Sequence, residues 1–206
     1  MIHDGLWDVY NNVHMGDCAE LCAKERHFDR AEQDRFAKKS YERALTAIKD
    51  GLFKEEIAPV EVTVGKEKKL FDTDEEPYKA KLDKLGEVRP AFQKEGTITA
   101  ANASSLSDGG AALVLSSATY AKRKGLTPLA RVVGQAHHAQ APEWFTTAPV
   151  EAVKKLLNKN GKSVSDIDLF EVNEAFSVVA LACMKDLEIP ESKVNVRGGA
   201  VALGHP

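Results

Sequence analysis

With 206 residues, 43% of them hydrophobic and 29% charged, the chain has the make-up of an ordinary globular protein of one domain or slightly more. A formal net charge of -3 gives no reason to expect nucleic acid or an anionic membrane as a partner, and no apolar run reaches the roughly 18 residues that span a bilayer. Three cysteines, Cys18, Cys22 and Cys183, make no disulfide framework, so a reducing compartment is the simpler expectation. Residues Met1 to Leu6 offer neither a cationic start nor an apolar signal region, and no targeting segment is expected.

The first elements are helical. Gly16 to Arg26 carries a short helical pattern, and Asp29 to Lys49 a longer one, opened by Asp29 with Glu32 three residues on, as in a capping box. Phe36, Tyr41, Ala44, Leu45 and Ile48 share one face at helical spacing, which predicts a core-facing stripe, and Gly51 ends the helix. Ile57 to Val64 alternates as a strand, and Gly65 to Phe71 is expected to return as its hairpin partner. Between 66 and 89 the chain is dense in charge, from Lys66, Lys68 and Lys69 through Asp72, Asp74, Glu75 and Glu76 to Lys79, Lys81 and Lys84. The plainer reading is a solvated loop; the functional one is that a few lysines meet phosphate.

From Gly96 the texture changes. Thr97 to Ala101 is strand-like, Asn102 to Gly110 a small-residue loop, and Gly110 to Ser116 has the make-up of a buried strand. Helix 117–124, strand Leu129 to Gln135 running on towards 140, helix Val150 to Asn160, strand 168–172, helix 175–187 and strand 194–204 follow. That alternation predicts an α/β fold with a mixed sheet covered by helices. A domain boundary is expected near Ser104, dividing residues 1–104 from 105–206.

Leu169, Phe170 and Val172 suit a buried strand that leaves Asn173 and Glu174 at its carboxyl edge, with Asn173 expected to cap the next helix. That helix is apolar almost all round, so it should be buried. Gly198, Gly199 and Gly204 then permit close approach or sharp turns before His205 and Pro206. On spacing alone, the preferred reading is a capping asparagine and a satisfied core histidine.

A resemblance alters that preference. Asn173-Glu-Ala-Phe176, followed by Asn195-x-x-Gly-Gly-Ala-Val-Ala-Leu-Gly-His-Pro206, resembles the paired signature of the thiolases, the acyl-CoA acetyltransferases. Asp4-Gly-Leu, His14-Met-Gly, Arg89-Pro-Ala-Phe92, Gly96-Thr-Ile-Thr-Ala-Ala-Asn-Ala-Ser104 and Ser107-Asp-Gly-Gly-Ala-Ala112 extend it over essentially the whole chain. The resemblance implies a thiolase-like layered α/β fold with a mixed sheet. Here it would be an incomplete portion, the loop domain with the end of the N-terminal half, and then the start of the C-terminal domain. It also implies condensation of two acetyl-CoA to acetoacetyl-CoA, or the reverse thiolysis.

In that chemistry His205 would donate to the enolate oxygen and help activate a nucleophilic cysteine, and Asn173 would act through a water that it positions. Coenzyme A, a substrate rather than a cofactor, would meet Ser104, His14, Met15, Phe92, Ala175 and Phe176, with Lys84 at the nucleotide phosphate. Tyr41, which also belongs to this binding region, would join Ala100, Ala101, Ala103 and Val201 in holding a potassium ion, as in the mitochondrial type. No covalent cofactor is implied. A homotetramer in the mitochondrial matrix, alternatively in the cytoplasm, follows from the same resemblance. Arg197 departs from the asparagine of many members without disturbing the glycine pattern.

The family's reactive cysteines lie in segments before and after this sequence, and none of Cys18, Cys22 and Cys183 matches them, so the chain is expected to be an internal fragment lacking both. A degradative 3-ketoacyl-CoA thiolase is the alternative within the family, disfavoured by His14-Met-Gly and Ala101-Asn-Ala-Ser104. A non-catalytic CoA-binding or oligomerising piece is the alternative outside it.

Overall fold

Helix α6 (Ser177–Leu187) sits at the centre of the molecule. In the computed structural model, which describes residues 1–206, its Val178 to Cys183 run is buried throughout. One side of α6 meets Ala19, Cys22 and Ala23 of α2 (Met15–Arg26) and Phe36 of α3 (Arg30–Lys49), with Phe28, Ile98 and Phe176 completing the cluster. The other side, through Cys183 and Leu187, meets Val150 of α5 (Ala148–Lys159) together with Phe170, Ile189 and Val194. An all-round apolar helix is stable only when covered on both sides, and each large side chain so buried contributes about 1.5–3 kcal/mol. A third cluster joins Ala37, Tyr41 and Ala44 of α3 to Val201 and Ala202 of the short α7 (Ala200–Leu203). The remaining helices are α1 (Ile2–Gly5) and α4 (Ala118–Lys124), and no helix is long and apolar enough to cross a membrane.

Asp29 caps α3 where predicted, its carboxylate accepting from the Glu32 backbone N–H at 2.7 Å, but the return bond of a capping box, from Asp29 N–H to the Glu32 side chain, does not form. Its end is marked by Gly51 at φ +70°. The α6 start differs. Asn173 does not cap it, because the helix begins only at Ser177, with Phe176 extended at its N-cap and paired with Ala103.

The hairpin forms as β3 (Val60–Val64) antiparallel to β4 (Glu67–Phe71), in the register Val60 opposite Phe71, turning at Gly65. A smaller antiparallel pair joins β1 (Trp7–Asp8) to β2 (Val13–His14). The other predicted strands do not form ladders. Residues 110–116 and 129–135 form no strand and are almost wholly exposed, with Val114 97% accessible, so the buried strand expected over 110–116 is corrected. A strand is held by a neighbour that takes its N–H and C=O groups, and these segments have none within the chain. The mixed sheet is for the same reason not assembled here.

Of the other predicted strands only isolated bridges remain. Thr99 pairs with Pro90, and Phe170 lies parallel to Val194. At the second, Phe170 N–H donates to Lys193 O at 2.8 Å and Asn195 N–H to Phe170 O at 2.9 Å. Residues 194–204 do not continue as a strand, because Asn195 (φ +45°) and Gly198 (φ +85°) turn the backbone into α7.

All three cysteines are buried free thiols. Burial raises each above the ordinary thiol range, Cys183 to about 12, and Asp8 and Asp186 add to this at Cys18 and Cys183 respectively. A raised pKa holds the thiol protonated and unreactive. Titration of the folded chain with a chromogenic disulfide at pH 8 should therefore find no fast thiol, and all three after denaturation; a rapidly labelled native cysteine would contradict this packing.

Candidate functional site

Asn173 and His205 reach each other from two separately anchored loops. The Asn195 side chain extends the Phe170–Val194 bridge by one rung, its Oδ1 accepting from Val172 N–H and its Nδ2 donating to Val172 O, both at 2.7 Å. The chain is thus held up to the residue before Asn173. On the other side, His205 N–H donates to Ser105 O at 3.0 Å and His205 lies parallel to Leu106. Gly204, at φ +96°, packs on Ser107 where any Cβ would collide. The outcome is a contact of 3.1 Å between Asn173 Nδ2 and His205 Nε2, both side chains open to solvent. With the amide donating, Nε2 accepts; turning the amide over exchanges the roles.

Directly beneath lies Glu174, 0% exposed. Its Oε1 accepts from Asn195 Nδ2 at 2.7 Å, and its Oε2 from Ser40 Oγ at 2.7 Å and from Val201 N–H at 3.1 Å. Ser40 Oγ in turn accepts from Gly199 N–H at 3.0 Å. Burial raises the carboxyl above the usual glutamate range, while these donors and the charge of Arg43 pull the other way. Arg43 itself donates to the carbonyls of Val194, Asn195 and Glu191.

A row of aromatic rings leads away from the pair. His14 stacks on Phe92 at 4.7 Å, Phe92 meets Phe176 edge-on at 6.1 Å, and Phe145 flanks Phe176 at 6.3 Å. His14 also caps α2, its Nδ1 accepting from Gly16 N–H at 2.9 Å, which leaves Nε2 to carry the ring proton of the neutral form. Met15 follows at half exposure, and Gly16 is bare because the Phe92 ring fills the place of a Cβ. Ser104 is tied to the same wall, its N–H and its Oγ–H both donating to Ala175 O at 3.1 and 2.9 Å. A cavity of about 230 Å³ opens beside Asn173 among Phe145, Val172, Ala175 and Val179. A larger one, about 620 Å³, lies away from the pair over Glu20 and Gly96.

Of the residues singled out from the sequence, Asn173, His205, Ser104, Ala175, Phe176, Phe92, His14 and Met15 are thus joined through a chain of contacts. Lys84 stands apart, exposed at a turn whose following carbonyls, Leu85 and Val88, are held by Arg30. Tyr41 is buried against Val201 in the α3–α7 cluster, its hydroxyl pushed up to about 12 by burial and by the charges of Glu76 and Glu174. Ala100, Ala101 and Ala103 belong to the Thr99 turn, where Ala101 N–H donates to Thr99 Oγ1 and Ala103 backs the Phe176 cluster. Sequence reasoning missed Ser40 and the supporting part of Glu174. The available signal was a charged residue set between Val172 and the apolar run from Ala175.

Two family descriptions match the chain, "Thiolase, N-terminal domain" over residues 1–119 and "Thiolase, C-terminal domain" over residues 126–206. Their junction falls at α4, beyond Ser104. An acetyl-CoA acetyltransferase of Schizosaccharomyces pombe is 51% identical over 208 residues, covering 100% of this chain and 53% of that protein. The mitochondrial acetyl-CoA acetyltransferase of Homo sapiens is 50% identical, again over 100% of this chain and 49% of its own length. Among solved structures, the acetyl-CoA acetyltransferase of Bacillus anthracis superposes with a TM-score of 0.94 at 42% identity, over 98% of this chain and 51% of that one. A thiolase of Ascaris suum in complex with coenzyme A gives 0.92 at 44% identity, over 98% and 52%. The backbone is therefore that of the α/β thiolase fold, without its complete sheet, and the chain spans about half the length of these relatives. The chain belongs to the thiolase family.

Proposed function

We propose that the full-length protein containing these residues is an acetyl-CoA C-acetyltransferase, joining two acetyl-CoA into acetoacetyl-CoA with release of CoA, or running the reverse thiolysis. The observation that carries this reading is the Asn173–His205 contact at the end of a wall built from Ser104, Ala175, Phe176, Phe92 and His14. In the forward direction a cysteine thiolate takes the acetyl group from the first thioester and releases CoA. A second cysteine, as thiolate, then takes a proton from the methyl carbon of the second acetyl-CoA, and the resulting enolate carbon attacks the acyl-cysteine, expelling the first cysteine's thiolate. Negative charge develops on a thioester oxygen in both stages, and fixed donors there usually make the largest contribution. His205 Nε2–H and a water held by Asn173 are suited to that oxygen, since each group is placed by its loop beforehand. The cysteines come from outside these 206 residues, because a protonated, buried thiol is a poor nucleophile.

Coenzyme A lies along the wall in this reading, with the pantetheine at Ser104 and the thioester end at His14 and Met15. Lys84 is free to meet the nucleotide phosphate. The thiolase solved with coenzyme A supports this class of ligand. We place the loop domain and the end of the N-terminal half at residues 1–104, the start of the C-terminal domain after it, and the full-length protein in a homotetramer. Similarity to mitochondrial relatives supports the mitochondrial matrix as its compartment.

His205→Ala in the full-length enzyme should lower kcat for acetoacetyl-CoA thiolysis by about 10²–10³-fold while CoA binding persists, the size expected for one lost oxyanion donor. Unchanged turnover would remove His205 from the chemistry. Lys84→Glu should raise KM for CoA but hardly affect a dephosphorylated analogue, since only the phosphate contact changes sign. Equal effects on both ligands would return Lys84 to the solvated surface.

Potassium is the remaining part of the proposal. Backbone oxygens of Ala100, Ala101, Ala103 and Val201 with the Tyr41 hydroxyl make a hard oxygen set, the donor chemistry such a cation takes. Tyr41 and Val201 already share one cluster, and the Thr99 turn leads into Ser104, so an ion there would brace the serine. Activity at matched ionic strength should be higher in potassium than in sodium at millimolar salt, and Tyr41→Phe should narrow the gap. Identical rates in the two salts would exclude the site.

A further inference from the structure

The Asn173–His205 spacing has to be set by something other than the exposed contact itself, because a single hydrogen bond open to water is exchanged for bonds to water and contributes little net. The two residues are 32 positions apart and sit on loops with different anchors. One side chain touches both loops. Glu174 follows Asn173 directly, and its Oε2 accepts from Val201 N–H in the single turn of α7, which leads through Gly204 to His205. Through Ser40 Oγ the same oxygen holds Gly199 N–H, and through Oε1 it holds the Asn195 amide that fixes Val172.

We propose that Glu174 is a positioning residue, whose buried carboxylate sets the distance between Asn173 and His205 by bracing the Asn195 turn and the start of α7 together. This rests on the thiolase reading only where turnover is measured. The donor pattern requires an acceptor at both oxygens. Asn195 Nδ2 is committed as a donor, since its Oδ1 is held by Val172 N–H, and Val201 N–H is backbone. A glutamine of the same shape must therefore place its NH₂ against one donor or the other, whichever way its amide turns. Gly199 fits the same picture, for the Glu174 carboxyl occupies the space where its Cβ would stand. Arg43 supplies the nearby positive charge, donating to the carbonyls of the same turn.

The test uses the full-length chain with Glu174→Gln. The expected result is a kcat lowered about tenfold to a hundredfold with KM for acetoacetyl-CoA changed less than about threefold, because binding groups stay while a catalytic pair is misplaced. A crystal structure of the variant should show Asn173 Nδ2 and His205 Nε2 separated beyond hydrogen-bond reach. A melting temperature that falls while kcat per folded molecule and the separation both remain as before would overturn the proposal and leave Glu174 a stabilising residue only. If Glu174→Gln does not fold, Ser40→Ala, which removes one donor and the Gly199 acceptor, should produce the same kcat-selective loss in weaker form; wild-type kcat in that variant would overturn it. Absence of thiolysis in the unmodified full-length protein would defeat the thiolase reading instead, and the crystallographic separation would still decide the part played by Glu174.

Discussion

Backbone groups without a strand neighbour must find other partners in this chain, and around α6 they find buried and half-buried polar side chains. Glu20 accepts from the N–H groups of Thr97 and Ile98 at 2.9 and 2.8 Å. Asn102 accepts from Thr99 N–H and donates to Thr97 O and to Asp34. Arg30 donates to two carbonyls, Arg43 to three, and Asn195 forms both bonds of the missing rung at Val172. A buried N–H or C=O left alone costs about 1–3 kcal/mol, so each of these side chains decides whether its loop has one conformation or many. The segments beyond their reach, 110–116 and 129–135, form no regular structure and lie almost wholly exposed.

This division explains what was legible in the sequence. Helix α3 was, because its signals are local: an aspartate at the cap, a stripe at helical spacing and a glycine past the end. Helix α6 was legible in kind but not in its first residue, since the cap expected at Asn173 lost to a pairing between Phe176 and Ala103, 73 positions apart, that no local pattern reveals. Strand patterns over 110–116 and 129–135 describe what the side chains suit, and a strand also needs a neighbour. Between 194 and 204 the glycines were visible, but the left-handed turn at Asn195 was not, because asparagine enters that region more readily than most residues without being confined to it, and the side-chain bonds that hold it there reach Val172 and Glu174, more than twenty positions away.

The candidate site divides along the same line. Asn173, His205 and the aromatic wall were reached through the signature, and spacing alone favoured a cap and a core histidine; both prove to be exposed. Glu174 was visible as a charged neighbour of Asn173, yet an alternating or turning chain leaves open whether its carboxylate points in or out. Ser40 lies on α3, 134 residues from Glu174, in a helix whose sequence accounts for it as one more polar position. Supporting residues are hard to see in a sequence for this general reason: their partners are distant, and their own local pattern is ordinary.

The adjoining glycines 198 and 199 are constrained by different things, and in genetic terms they should behave differently. At Gly198 a side chain would meet Ser40 O at 2.7 Å and Ala44 N at 2.8 Å, and φ of +85° already disfavours it, so the obstacle is backbone on both counts. At Gly199 the obstacle is a side chain rather than backbone, the Glu174 carboxyl. A lesion at 199 is accordingly open to second-site suppression by a shorter residue at 174, although the suppressed protein would inherit whatever the carboxylate had been holding. A lesion at 198 has no such partner. The Gly-Gly pair, which reads as one feature in the sequence, is thus two separate constraints, one belonging to the chain path and one to the carboxylate.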